Sequence, residues 1–384
     1  MAEAIHGDCA PGFESVRDVF AKNFEDGLEK GAAVAVTVDG EPVVDLWAGH
    51  RDVAGALPWE GDTIANVWST TKGMTAICAH ILVDRGQLDL DAPVAQYWPE
   101  FAQAGKGEIP VRWLLSHRAG VPAVRRPLPQ HTAWDWDAMT EALAAEEPWW
   151  EPGSNFGYHA VTFGWLVGEV VRRVSGKSLG TFFREEVAEP FGIDFHIGLD
   201  ARHDARVAEV AAPLPALAAE ATPMTEALAD PASLASLAFN NPVEILNPEI
   251  VNSRDWRAAE LGAVNGHCSA GALARVYGIL ACGGELDGVR LLRQETVDQM
   301  YVEQSMGENA VTLGPMRLGL GFMLPMEDNN FGRGPRAFGH GGAGGSLSYA
   351  DPDSRVGFGY VMNQMGPQPD ARAGGLVEAV SASL

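Results

Sequence analysis

The strand-forming segments of this chain lie near its two ends, and the long stretch between them is patterned for helices. Near the N-terminus, Val34-Ala35-Val36-Thr37-Val38 and Pro42-Val43-Val44-Asp45-Leu46-Trp47 flank Asp39-Gly40, a pair that favours a tight hairpin turn. Near the C-terminus, Ser346–Ala350 and Val356–Val361 flank the turn sequence Asp351-Pro352-Asp353-Ser354. Leu318-Gly319-Leu320-Gly321-Phe322 adds a short apolar strand. Strands divided in this way satisfy their backbone groups most simply by bringing the two ends of the chain into one sheet. The expected fold is therefore α/β: an antiparallel sheet from both chain termini, flanked by helices, with an inserted mainly helical domain. The expected boundaries are 1–65 with 245–384 for the α/β domain and 66–244 for the helical one. A chain of 384 residues is too long for one small core.

The helical segments begin with about Phe13 to Leu28. A strong second helix runs from Ser69 through Ile77 and Leu82 to a stop at Gly86. Val111–His117 is a short helix closed by Ala119-Gly120. Ala133–Glu147 and Val161–Ser175 are longer, the latter stopped by Gly176. Leu179–Val187 ends before Pro190. Residues 211–242, rich in Ala, Pro and Leu, read as a helix pair or a lid-like loop. A helix from about Asp370 to Ala382 closes the chain.

Within the second helix, Ser69 and Lys72 form an S-x-x-K pair. The spacing puts both side chains on one helix face, one turn apart. A serine hydroxyl becomes a strong nucleophile when a neighbour takes its proton, and a lysine can do so once burial makes it neutral. With 16 serines and 5 lysines in the chain, roughly 0.2 such pairs are expected by chance, so the pair needs company. A serine N-cap with an exposed lysine is the alternative. A lysine in the first turn opposes the helix dipole, which weighs against that alternative.

The company is at hand. Tyr158 follows the polar, glycine-rich run Glu151-Pro152-Gly153-Ser154-Asn155-Phe156-Gly157 at a loop–helix junction, where a phenol can face a cleft and relay a proton. Gly339-His340-Gly341-Gly342-Ala343-Gly344-Gly345 allows backbone to approach a ligand closely, as an oxyanion hole requires. His131 and His159 are further pocket candidates, and His117 reads as a structural hydrogen-bonder. The nearest approach to G-x-S-x-G is His267-Cys268-Ser269-Ala270-Gly271. A nucleophile elbow needs a strand before the serine, and none is expected there, so Ser269 reads as a helix cap. The pair Trp149-Trp150 and the other tryptophans suit packing or the wall of an acyl pocket.

Charge and cysteine usage exclude other functions. The net charge of −24 argues against nucleic acid and anionic membrane surfaces as partners. Cys9, Cys78, Cys268 and Cys282 have no zinc-like spacing with each other or with histidine, so neither a metal nor a cofactor is expected. Cys78 and Cys282, in apolar stretches, are expected to be buried free thiols. Met1-Ala2-Glu3-Ala4-Ile5-His6-Gly7-Asp8 lacks the basic start and apolar run of a secretory signal. No apolar run approaches a membrane span, and a cytoplasmic protein is the expectation.

Taken together, Ser69-Thr70-Thr71-Lys72, Gly157-Tyr158-His159 and His340-Gly341-Gly342-Ala343 resemble the serine β-lactamase and penicillin-binding-protein fold family. Val111–Val121 is similar to its L-L-x-H-x-x-G segment. Trp150-Glu151-Pro152-Gly153 is similar to its lead-in to the tyrosine, and Asp84–Asp91 to the segment after the nucleophile helix. The resemblance covers about residues 14–380 and is strongest to the family VIII carboxylesterases, notably over Gly157–Glu169. It implies a β-lactamase-like fold, Ser69 as acylated nucleophile, and Lys72 and Tyr158 as one coupled proton system. It further implies Ser69 and Ala343 N–H groups as oxyanion hole, with His340, Gly341, Gly342 and His159 toward substrate. Two departures matter. The family's asparagine after the tyrosine is replaced in His159-Ala160, and its K-T-G lysine is replaced by His340. Both remove groups suited to charged, amide-bearing substrates and keep what an ester needs. The implied activity is that of a serine carboxylesterase for short-chain, small-molecule esters. A β-lactamase, a D-amino-acid peptidase or an acyltransferase would share the machinery, and a non-catalytic binding protein would not need it.

Overall fold

The computed structural model describes residues 3–214, 222–242, 247–327, 331–367 and 370–384. Six strands form the main sheet: β1 (His6–Cys9), β2 (Gly31–Val38), β3 (Glu41–Gly49), β4 (Phe338–Gly341), β5 (Leu347–Asp351) and β6 (Val356–Met362). Their order is β1-β3-β2-β6-β5-β4, all neighbours antiparallel. The central pairing, β2 with β6, joins the two ends of the chain: Val36 faces Phe358 and Val34 faces Tyr360. This architecture follows from the split distribution of strand sequence.

Helices cover both faces of the sheet. On one side α1 (Glu14–Glu25) packs against α5 (Ala371–Ser383). On the other, α4 (Ala270–Ala281) lies across β6, β2 and β5. Glycines let α4 come close. A Cβ on Gly359 would fall 2.4 Å from the Ala270 carbonyl oxygen, and one on Gly357 2.2 Å from the Gly278 nitrogen. Beyond α4 lie the helices of the middle segment. Among them α2 (Thr71–Asp84) is apolar all round and buried from Thr71 to Leu82, and it packs on α3 (Thr162–Ser175). One cluster of buried apolar side chains runs through the sheet and this helical segment.

A small three-stranded sheet stands directly before α2. Ala65–Asn66 pairs with His267–Cys268, which pairs with Phe195–His196. The strand at His267–Cys268 runs against expectation, because two residues are too few to leave a pattern. Ser269 nonetheless caps α4, its Oγ accepting from the Ala272 N–H at 3.2 Å.

Other differences have local causes. Pro190 does not lie outside the helix that starts at Leu179. The chain passes through a π turn at Arg184–Ala188 into Glu189–Phe191, where proline sits in a first turn and its missing N–H is harmless. The strand expected at 318–322 is instead Pro315–Leu318, paired with Ser305–Glu308; Gly321, at φ +91°, turns the chain. The segment 211–242 holds helices Pro223–Ala229 and Leu234–Asn240, while 215–221 lie outside the described residues. All four cysteines are free; Cys78 is buried, but Cys282 is only half-buried.

The close α4–sheet contact predicts that Gly359→Ala lowers stability by about 1–3 kcal/mol, since overpacking outweighs the few tenths gained in backbone entropy. Thermal and urea melts against the wild type measure it; an unchanged midpoint would contradict the contact.

Candidate active site

Ser69 sits in the turn that leads into α2. The preceding residue, Trp68, has φ +50°, a left-handed conformation that disfavours a bulky L-residue. The surroundings hold it there: the Val67 N–H donates to the Gly266 carbonyl at 2.9 Å, and the buried Trp68 ring leans on Trp256 at 6.1 Å between centroids. The sharp turn leaves Ser69 half-exposed at the head of a buried helix.

Lys72, one turn on, is wholly buried. Its Nζ lies 2.7 Å from the Ala160 carbonyl, 3.0 Å from the Ala263 carbonyl and 3.1 Å from Ser69 Oγ. Burial holds its pKa well below the usual lysine value. A neutral amine has two N–H donors and one lone pair. In that form the two carbonyls take the donors and the lone pair faces the Ser69 hydroxyl; in the charged form the third N–H donates to Ser69 Oγ.

Both carbonyls are held in place. Ala160 lies two residues past Tyr158, just before α3. Ala263 lies in a loop organised by buried Asn265, whose side chain accepts from the Leu261 N–H and donates to the Trp256 and Ala259 carbonyls. The Tyr158 ring stands 4.6 Å from Lys72 Nζ. Burial pushes the Tyr158 pKa up, opposed by its hydrogen bond to Ser69, so the phenol keeps its proton at neutral pH.

The tyrosine loop is pinned by the segment containing His117. The Gly157 N–H donates to the His117 carbonyl at 3.1 Å, and the His159 N–H donates to His117 Nδ1 at 3.0 Å. Asn309 accepts the Tyr158 N–H at 3.0 Å. His117 thus has the structural role expected of it. His159 does not reach the substrate side with a free polar edge. Its Nε2 accepts the Val121 N–H at 3.2 Å, so Nδ1 donates to the Gly157 carbonyl at 2.7 Å, and the ring is fully buried. This ring braces the loop. His131 is exposed on the 3-10 turn Gln130–Trp134.

The glycine-rich segment is the end of β4 followed by a tight turn, Ala343–Gly345. It is stitched to the turn that holds Ser69. Ser346 Oγ donates to the Val67 carbonyl at 2.8 Å, and Thr70 Oγ1 donates to the His340 carbonyl at 3.3 Å. The two hydroxyls lie 3.2 Å apart. Gly342 packs so tightly on this seam that a Cβ would fall 2.3 Å from the Val67 carbonyl oxygen. Neither the Ser69 nor the Ala343 N–H has an acceptor among the described residues, and both residues are half-exposed.

Sequence reasoning missed Thr70, Ser346, Asn265, Asn309 and the two carbonyls. Backbone acceptors carry no residue signature, and single polar residues in loops look like solvated ones.

The site is electrically quiet. Burial, with Lys72 nearby, lowers the pKa of His340 to about 3; burial likewise lowers that of His159 to about 3 and that of His117 well below its usual value. Three imidazoles and a lysine around Ser69 are therefore all biased toward neutrality. This arrangement can deprotonate a serine, accept a developing oxyanion on two N–H groups and carry a neutral substrate.

Residues 20–382 match the Beta-lactamase family. Over 370 residues the chain is 39% identical to the esterase/beta-lactamase LipL of Mycobacterium tuberculosis, covering 94% of this chain and 83% of that protein. It superposes on the crystal structure of a family VIII carboxylesterase with a TM-score of 0.91 at 43% identity, covering 99% of this chain and 100% of that one. A penicillin-binding-protein homologue from Caulobacter crescentus gives a TM-score of 0.90 at 40% identity, with the same coverage.

If neutral Lys72 accepts the Ser69 proton, the rate at which a fluorophosphonate labels Ser69 falls as pH drops through the lowered pKa of Lys72. It levels off above that value. Lys72→Arg, which stays charged, labels about 1,000-fold more slowly or less. A rate independent of pH from mildly acidic to alkaline solution would contradict the assignment.

Proposed function

The chain belongs to the β-lactamase family, and on that premise we propose that it is a serine carboxylesterase hydrolysing short-chain carboxylic esters through an acyl-enzyme on Ser69. The observation that carries this reading is the buried Lys72 amine, placed between the Ala160 and Ala263 carbonyls and 3.1 Å from Ser69 Oγ. Ser69 Oγ attacks the ester carbonyl carbon and gives its proton to Lys72. The ammonium so formed is met by the Ala160 and Ala263 carbonyls and the face of the Tyr158 ring. The negative oxygen of the tetrahedral intermediate accepts from the Ser69 and Ala343 N–H groups. Collapse expels the alkoxide, which takes a proton from Lys72 by way of the Tyr158 hydroxyl. Water then follows the same route in reverse, releasing the acid and restoring Ser69.

The neutral His340 and the missing asparagine after Tyr158 support an ester in place of a carboxylate-bearing lactam or peptide. His340, Gly341 and Gly342 form the substrate-side edge in this reading, and residues 66–244 meet 1–65 with 245–384 at the site. No described helix is long and apolar enough to cross a membrane. Four unpaired cysteines accord with a reducing, cytoplasmic setting, and the charge of −24 accords with small-molecule rather than nucleic-acid partners.

Hydrolysis of p-nitrophenyl acetate and butyrate tests the reading. Ser69→Ala is expected to lose about 1,000-fold or more of kcat/KM, with nitrocefin turned over far more slowly than either ester by the wild type. Equal turnover by Ser69→Ala would remove Ser69 as nucleophile; nitrocefin turnover matching the esters would make this a β-lactamase, which the LipL designation keeps in view.

A further inference from the structure

Behind the oxyanion turn lies a buried ionic cluster that the catalytic scheme does not use. Arg372, at the start of α5, is entirely excluded from solvent, as is Glu29, and Asp370 is nearly so. Every guanidinium N–H is engaged. Nε donates to Asp370 Oδ1 at 3.0 Å, and Nη2 to Asp370 Oδ2 at 2.7 Å. Nη1 reaches Glu29 Oε2 at 3.0 Å and the Leu28 and Gln364 carbonyls at 3.1 Å each. Tyr360 donates its hydroxyl to Glu29. The remaining Nη2 donor goes to the carbonyl of Gly344, at 2.7 Å.

Gly344 is the residue after Ala343, inside a turn closed by the Gly342 N–H on the Ser346 carbonyl at 2.7 Å and the Gly345 N–H on the Gly342 carbonyl at 3.1 Å. That turn rests on the cluster without intervening side chains. A Cβ on Gly345 would fall 2.4 Å from Asp370 Oδ2, and one on Gly366 2.4 Å from Arg372 Nη2. In front, Ser346 and Thr70 tie the turn to the segment holding Ser69; from behind, the Gly344 carbonyl accepts from Arg372 Nη2 and from the Gly366 N–H at 3.0 Å.

A buried ion cluster of this kind is a weak source of stability, because desolvating the ions offsets most of their attraction. Its value lies in direction: a planar, fully saturated guanidinium fixes what it binds. We infer that Arg372, held by Glu29 and Asp370, is a positioning residue for acyl transfer, fixing the oxyanion turn through the Gly344 carbonyl so that the Ala343 N–H points at the developing negative oxygen. The inference rests on the reading of Ser69 and Ala343 as the oxyanion hole. Arg372 touches no substrate, so it acts on the transition state and not on substrate binding.

Arg372→Lys, which keeps the charge but loses the fork, tests it on the full chain. Active sites are titrated with a fluorophosphonate, so that misfolded molecules drop out of kcat. The expected result is a kcat per titrated site lowered on the order of 10- to 100-fold, with KM within about twofold and affinity for an alkylboronic acid lowered in parallel with kcat. Wild-type kcat and boronate affinity in folded Arg372→Lys would overturn the inference and leave the esterase reading intact. If Arg372→Lys yields no folded protein, Glu29→Gln carries the test, with a fall of about threefold or more in kcat and the same KM split expected; no change would overturn it. If Ser69→Ala, run alongside, matches the wild type, the esterase reading has failed and this inference falls with it.

Discussion

A lysine amine buried away from water keeps its charge poorly unless something compensates for lost hydration, and among the described residues no carboxylate pairs with Lys72: two backbone carbonyls, the Ser69 hydroxyl and the Tyr158 ring surround it. The rest of the site is arranged around that constraint. The Ala160 carbonyl ties the amine to the tyrosine loop, and the Ala263 carbonyl ties it to the segment that pairs with the strand before the nucleophile. Because both N–H groups are spoken for, the orientation of the lone pair is decided by backbone positions that belong to the fold. Ser69, Lys72 and Tyr158 are thus set by the packing of α2 on α3 and on the loop before α4.

The second half of the machinery comes from the other end of the chain. The glycine-rich turn follows β4, an edge strand of the main sheet, and reaches the Ser69 turn through two hydroxyls, Thr70 and Ser346, and a glycine with no room for a side chain. The sheet can deliver it there because β6 pairs with β2 across more than 300 residues of sequence, and α4 comes close enough, over Gly357 and Gly359, to carry the helical segment against the same sheet. Neutral histidines complete the surroundings.

Much of this was legible in the sequence where a local pattern has a local cause. The hairpin around Asp39-Gly40, the helix stopped by Gly176, the cap at Ser269 and the S-x-x-K pair all depend on residues within a few positions of one another. The readings that failed depended on partners far away. The two-residue strand at His267–Cys268 exists because Ala65–Asn66 and Phe195–His196 are there to pair with it. Pro190 fits a helix because a π turn resets the register before it. His159 looked like a pocket residue beside Tyr158, yet its ring is turned to brace the loop, since Val121 and Gly157 present a donor and an acceptor on that side.

By itself, then, the sequence determined the strand segments at both ends, the helical middle, the Ser69–Lys72 pair, the tyrosine loop and the glycine-rich turn as local features, because each is written in residue types at short spacing. Tertiary structure decided what brings them together: that Lys72 is buried with its pKa lowered, that its amine meets the Ala160 and Ala263 carbonyls, and that Arg372 stands behind the glycine-rich turn. Those properties belong to backbone carbonyls and to burial. Neither has a residue signature, and both come into being only when segments hundreds of residues apart exclude water together.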